Sequence, residues 1–109
     1  MEGIKGGKMQ DYSYIKDEKL KQKLYEFDNI VDKMRSIIIA KNNDYGNANI
    51  GDLGIKGLFV RLWDKVNRLK QLVWVEKENQ VKDESIEDTY LDLANYAVIS
   101  IIVKRGKWN

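Results

Sequence analysis

Apolar residues in this chain recur at steps of three and four along three long stretches, and no proline interrupts any of them. The first series runs Leu20, Leu24, Phe27, Val31, Met34, Ile38, one stripe of a helix. Ile30 and Ile37 widen that stripe, so this helix is expected to be well buried. It reads either as one long helix or as two joined near Asp28-Asn29. A second series, Leu58, Leu62, Val66, Leu69 and Val73, with Phe59, Trp63 and Leu72 beside it, predicts a helix over about 58–74. A third helix is predicted from Asp83 or Ser85 to about Lys104. Ser85 with Asp88 three residues on resembles a capping box. Lys104-Arg105-Gly106 suits a helix end, where cations meet the dipole and Gly takes the left-handed stop. The expected fold class is all-α, a small bundle of three to four helices.

Two segments stand apart from these helices. Residues 1–12 are rich in Gly and Lys and are expected to be loose, which leaves 13–109 as a single helical domain. Lys41 to Gly57 holds four Gly and four Asn, residues that tolerate left-handed turns, and predicts a long loop of the kind that serves function. The run Ala97 to Val103 is apolar on nearly every side. A helix of that kind must be covered all round, so oligomerisation through the apolar C-terminal helix is expected, as a dimer or tetramer. The alternative for the same run is a buried β-strand, since β-branched residues dominate it.

Composition narrows the chemistry. Nineteen basic and 17 acidic residues leave a formal charge of only +2, which argues against a protein that coats DNA or RNA. A local basic cluster could still hold a small phosphorylated ligand. With no Cys and no His, disulfides, thiolate or imidazole zinc sites and the commonest general base are all absent. Any metal would be a hard cation on carboxylates, magnesium or manganese. No stretch approaches the ~20 apolar residues that cross a bilayer, and the N-terminus lacks the apolar core of a signal peptide. The expectation is a cytoplasmic protein with no membrane partner.

Two charged rows carry the candidate site. Arg61, Asp64, Lys65 and Arg68 stand at i, i+3, i+4 and i+7, on a face expected to lie opposite the apolar one. They are either an exposed ladder of ion pairs, each contributing ~0.2–0.5 kcal/mol, or a cluster that meets an anion. Glu84, Asp88 and Asp92 recur every four residues, extended by Asn95 and Tyr96, with Glu87 beside them. Acidic residues in a first turn suit the dipole, which accounts for Glu84, Glu87 and Asp88 but poorly for Asp92 and Asn95. If the second and third helices pack antiparallel, both rows can flank one cleft. Arg and Lys would then meet phosphate while Asp and Asn meet a base, a ribose or a metal. The nearby segment adds Lys41, Asn43, Asp44, Tyr45 and Asn47, with amide donors and acceptors and one ring for stacking. Trp63 is expected in the core or the cleft wall.

The strings K-N-x-D-Y-G (Lys41 to Gly46), R-L-W-D-K-V-N-R-L (Arg61 to Leu69) and E-S-I-E-D-T-Y-L-D-L-A-N-Y-A (Glu84 to Ala97) resemble the nucleotide modification associated domain 1 family, over roughly residues 29–103. Such proteins are frequent in phages and prophages. More distantly the layout looks like the MazG-like all-α nucleoside triphosphate pyrophosphatases. The resemblance implies a helical oligomer that handles nucleotides in or near its subunit interface, in the cytoplasm of an infected bacterial host. The MazG-like E-x-x-E and E-x-x-D magnesium pairs are not kept. The second helix offers Arg61-x-x-Asp64-Lys65 instead, which would repel magnesium and attract phosphate.

The leading expectation is therefore a non-catalytic, cofactor-free nucleotide binder, a sponge that sequesters a nucleotide immune signal such as a cyclic dinucleotide. In this reading Arg61, Lys65 and Arg68 hold phosphates, while Asp88, Asp92, Asn95 and the 43–47 segment read base or ribose. The alternative is a magnesium-dependent nucleoside triphosphate pyrophosphatase with Asp64, Glu84, Asp88 and Asp92 as ligands. A third possibility is a structural helical oligomer without ligand.

Overall fold

A computed structural model describes residues 10–45, 52–77 and 85–108 of the chain. Those residues form three α-helices and no strand. Helix α1 spans Glu18–Tyr45, α2 spans Gly54–Leu69 and continues into one π-helical turn, Lys70–Trp74, and α3 spans Ile86–Lys104.

Each boundary has a local cause. Asp17 opens α1, its Oδ1 accepting from the backbone N–H of Lys19 at 3.0 Å and of Leu20 at 3.2 Å. The helix then runs unbroken through Asp28-Asn29, so the two-helix alternative falls. It also carries on through Lys41–Tyr45, where a loop was expected. Asn and Asp cost only a few tenths of a kcal/mol each in a helix already under way. The loop expected over 41–57 is helical at its far end too, because α2 begins at Gly54. There Gly57 allows a close approach, since a Cβ on it would lie 2.4 Å from the Cβ of Leu53.

Helix α3 starts as its sequence predicts. Ser85 Oγ accepts from Asp88 N–H at 2.9 Å, and Asp88 Oδ2 accepts from Ser85 N–H at 3.4 Å. Its end is a Schellman motif on Gly106 at φ 70, with Gly106 N–H to Val103 C=O at 2.9 Å and Lys107 N–H to Ile102 C=O at 3.0 Å. Ala97 to Val103 is helical, which overturns the strand alternative.

The chain divides into two compact units, residues 1–40 and 41–109. In the first, the Tyr12 hydroxyl donates to Asp28 Oδ2 at 2.7 Å, and the Tyr12 ring meets Tyr25 edge-on at 5.2 Å between centroids. The strong hydrogen bond to a carboxylate pushes the Tyr12 pKa up to about 12, and burial adds to it. Helix α1 is not well buried as expected. None of its described side chains is fully buried, and Leu20, Phe27 and Ile30 are exposed, while Leu24, Val31, Met34 and Ile38 are half-buried.

The second unit holds every fully buried residue among those described. Leu58, Leu69, Leu91, Tyr96 and Ile99 form its apolar core, joined by the polar Thr89 and Asn95. Helices α2 and α3 pack along one another, and the contacts fix the direction. Lys65 meets Asp92, while Arg61, one turn back, meets Tyr96, one turn on, so the pair is antiparallel. No helix among the described residues is long and apolar enough to cross a membrane.

Candidate functional site

Helix α2 packs with a face that keeps Leu58, Leu62 and Leu69 of the predicted series but not Val66 or Val73. Leu58, Leu62, Leu69 and Leu72 turn inward, and the half-buried residues on the same side are Gly57, Arg61, Lys65 and Arg68. The opposite side is exposed and carries Phe59, Val60, Trp63, Val66, Val73 and Trp74. The sequence expectation of a charged row opposite the apolar one is therefore corrected. Three cations share the inward face, and of the predicted row only Asp64 faces solvent. Trp63 is neither core nor cleft wall; it is 56% exposed and stacks on Phe59 at 6.2 Å.

The inward cations meet α3 at Asp92. Its Oδ1 accepts from Lys41 Nζ at 3.3 Å, and its Oδ2 lies 3.3 Å from Lys65 Nζ. The Lys65 and Asp92 side chains each keep 22% of their exposure, so the carboxylate is shielded but reachable. One helical turn on, two cations lie over the Tyr96 ring, Lys41 Nζ at 5.8 Å and Arg61 Cζ at 5.9 Å from its centroid. Arg61 has no carboxylate partner among the described residues. Asp92 thus meets two lysines while Arg61 lies over the neighbouring Tyr96 ring, which leaves two positive charges in excess among these three half-buried cations and one carboxylate. Arg68 follows on the same face, and Asn95, 4% exposed, follows Asp92; both are engaged in contacts of their own.

This geometry gathers part of the predicted site and leaves the rest elsewhere. Lys41, Arg61, Lys65, Asp92 and Tyr96 come together, with Arg68 and Asn95 on the same two faces. Asp64 is exposed on the outward side of α2. Asp88 is exposed and committed to the capping box. Asn43 and Asp44 are exposed on the last turn of α1, while Asn47, Glu84 and the side chain of Tyr45 lie outside the described residues. The magnesium set is not brought together: no three acidic side chains converge among the described residues, and Asp92 is held by lysines. Sequence reasoning placed Tyr96 in the acidic row but missed its role as the ring beneath two cations. The available signal was its i+4 spacing from Asp92, which puts both on one face.

Neither the curated proteins nor the solved structures gave a match to the chain. A family model, described as nucleotide modification associated domain 1, does match, over residues 41–103. The match starts at Lys41, later than the residue 29 expected, and so falls wholly within the unit that carries the cation cluster. It covers more than half of the 109 residues, and the chain belongs to the nucleotide modification associated domain 1 family.

Proposed function

We propose that the second unit binds a nucleotide through phosphate held directly by Lys41, Arg61 and Lys65, and that it retains this ligand without turning it over. One observation carries the reading: α2 turns its cations inward, with Lys65 on Asp92 and Arg61 over the Tyr96 ring, and leaves Phe59 and Trp63 in solvent. A fold optimised for its own stability would place them the other way round, since burying an aromatic ring contributes ~2 kcal/mol and burying surplus charge costs. The family description, which names nucleotides, points the same way.

Tyr96 and Asn95 then border the base or ribose, and Asp92 holds the two lysines in register. A magnesium-dependent hydrolase would have to free Asp92 from both lysines before a cation could use it, so the metal-free reading is preferred. Sequestering a nucleotide signal in the cytoplasm of a phage-infected bacterium is the role that suits such a binder. Self-association is part of this proposal. Its support is the exposed Ala97, Val98 and Ile101 on α3, together with the outward apolar stripe of α2.

Thermal shift against mono-, tri- and cyclic nucleotides, with and without EDTA, tests the reading. At a hundredfold excess over Kd a true ligand adds about 2.7 kcal/mol, on the order of 10 °C for a domain of this size. The expected shift is the same with EDTA, and no pyrophosphate is released when magnesium and nucleoside triphosphates are supplied. No shift with any nucleotide would overturn binding. A shift lost in EDTA, with pyrophosphate released, would replace it with the hydrolase.

A further inference from the structure

The cluster has a charge count, and that count selects among phosphates. Lys41, Lys65 and Arg61 bring three positive charges and Asp92 one negative charge. Lys41 links the three cations, sharing Asp92 with Lys65, each at 3.3 Å, and the Tyr96 ring with Arg61. A phosphodiester brings a single negative charge and leaves the groove with one cation unmatched. A phosphomonoester brings close to two at neutral pH, on three oxygens at one point, and brings the groove to neutrality. We infer that the Lys41–Arg61–Lys65–Asp92 groove takes a terminal, dianionic phosphomonoester in preference to a phosphodiester. This inference rests on the nucleotide-binding reading above and narrows its ligand class.

The sequence makes the inference testable by pH. The chain has no His and no Cys, so no side-chain type in it ordinarily titrates between pH 5 and 7.5. The groups facing the groove are lysine and arginine from α1 and α2, and Asp92 and Tyr96 from α3, with Arg68 along the same α2 face and Asp88 one turn before Asp92. With no His or Cys in the chain, a change in affinity across the window that the cyclic form does not share is assigned to the phosphate. A phosphomonoester has its second ionisation near pH 6, and a phosphodiester has none there.

The experiment is calorimetric titration of the full chain with the four ribonucleoside 5′-monophosphates, their 3′,5′-cyclic counterparts and inorganic phosphate, at pH 5 and pH 7.5. Each monophosphate and its cyclic form share base and ribose and differ in phosphate charge. At pH 7.5 the preferred monophosphate should bind about tenfold more tightly than its cyclic form, the worth of one further charge-assisted contact. Its affinity should fall about fivefold at pH 5, while that of the cyclic form stays level. Arg61→Gln, which lowers the surplus to one, should shrink both ratios towards unity with the helical circular dichroism signal unchanged. Inorganic phosphate separates the sources: binding as tight as that of the monophosphates would leave the charge selection standing and remove the nucleoside from it. Equal binding of cyclic and open forms, or a level pH response for the monophosphate, overturns the inference and leaves nucleotide binding intact. No binding by any member overturns both.

Discussion

The two faces of α2 divide burial and polarity unusually, with half-buried cations among the inward leucines and aromatic rings on the outward side. The inward face places Arg61, Lys65 and Arg68 between Leu58 and Leu69, and the outward face leaves Trp63 56% exposed and Phe59 61% exposed. In an ordinary surface helix the apolar stripe is the buried one. When cations share that side, the proposed bound anion is what would offset the cost of burying them. The outward rings then require a different account, and self-association is the proposal that covers them.

The largest effect expected from this contrast is on the inward side. Leu58 is fully buried beside the cations, and Leu58→Ala should cost about 2–4 kcal/mol in chemical denaturation, through lost burial plus the cavity left behind. On the outward side, Trp63→Ser should change the stability of a dilute sample by no more than ~0.5 kcal/mol while weakening self-association in sedimentation. Equal costs for the two variants would mean the faces are equivalent, and the contrast would be broken. A third region, in the first unit, serves as a reference. The Tyr12 phenol is favoured in its protonated form in the folded chain, because it donates to Asp28. Its contribution is fully present below pH 10, the ordinary tyrosine value, and is lost as pH rises towards about 12. Tyr12→Phe should lower stability across the neutral range, where the Asp28 hydrogen bond is lost, and should flatten the decline between pH 10 and about 12. A decline that persists in Tyr12→Phe would assign it to other groups.

Much of the fold was legible because helices write their period and their ends into sequence. The three helices, the Ser85–Asp88 capping box and the Gly106 stop all follow from spacing and residue type. The side chosen for burial was legible only in part: Leu58, Leu62 and Leu69 of the α2 series pack inward as predicted, while Val66 and Val73 are exposed. On α2 the cations at 61, 65 and 68 and the apolar residues at 59, 63 and 66 both recur with helical spacing, and periodicity marks a stripe without saying which one packs. The same ambiguity misplaced Phe27 and Ile30 on α1, which are exposed although they lie in or beside the apolar series. The π-helical turn at Lys70–Trp74 left no signal at all, since no residue type marks it. In the site, the pairing of Lys41 with Asp92 spans 51 positions, and only packing could reveal it.

The central claim is that the inward cations are held for an anion and contribute little to the fold itself. Lys65→Met tests it most directly, because Lys41 still partners Asp92 and the methylene stem is kept. Melting of this variant, with and without a saturating nucleotide identified in the thermal-shift panel, should show the free protein within ~0.5 kcal/mol of the parent and the ligand-induced shift largely lost. A strongly destabilised free protein that keeps the full ligand shift would contradict the account.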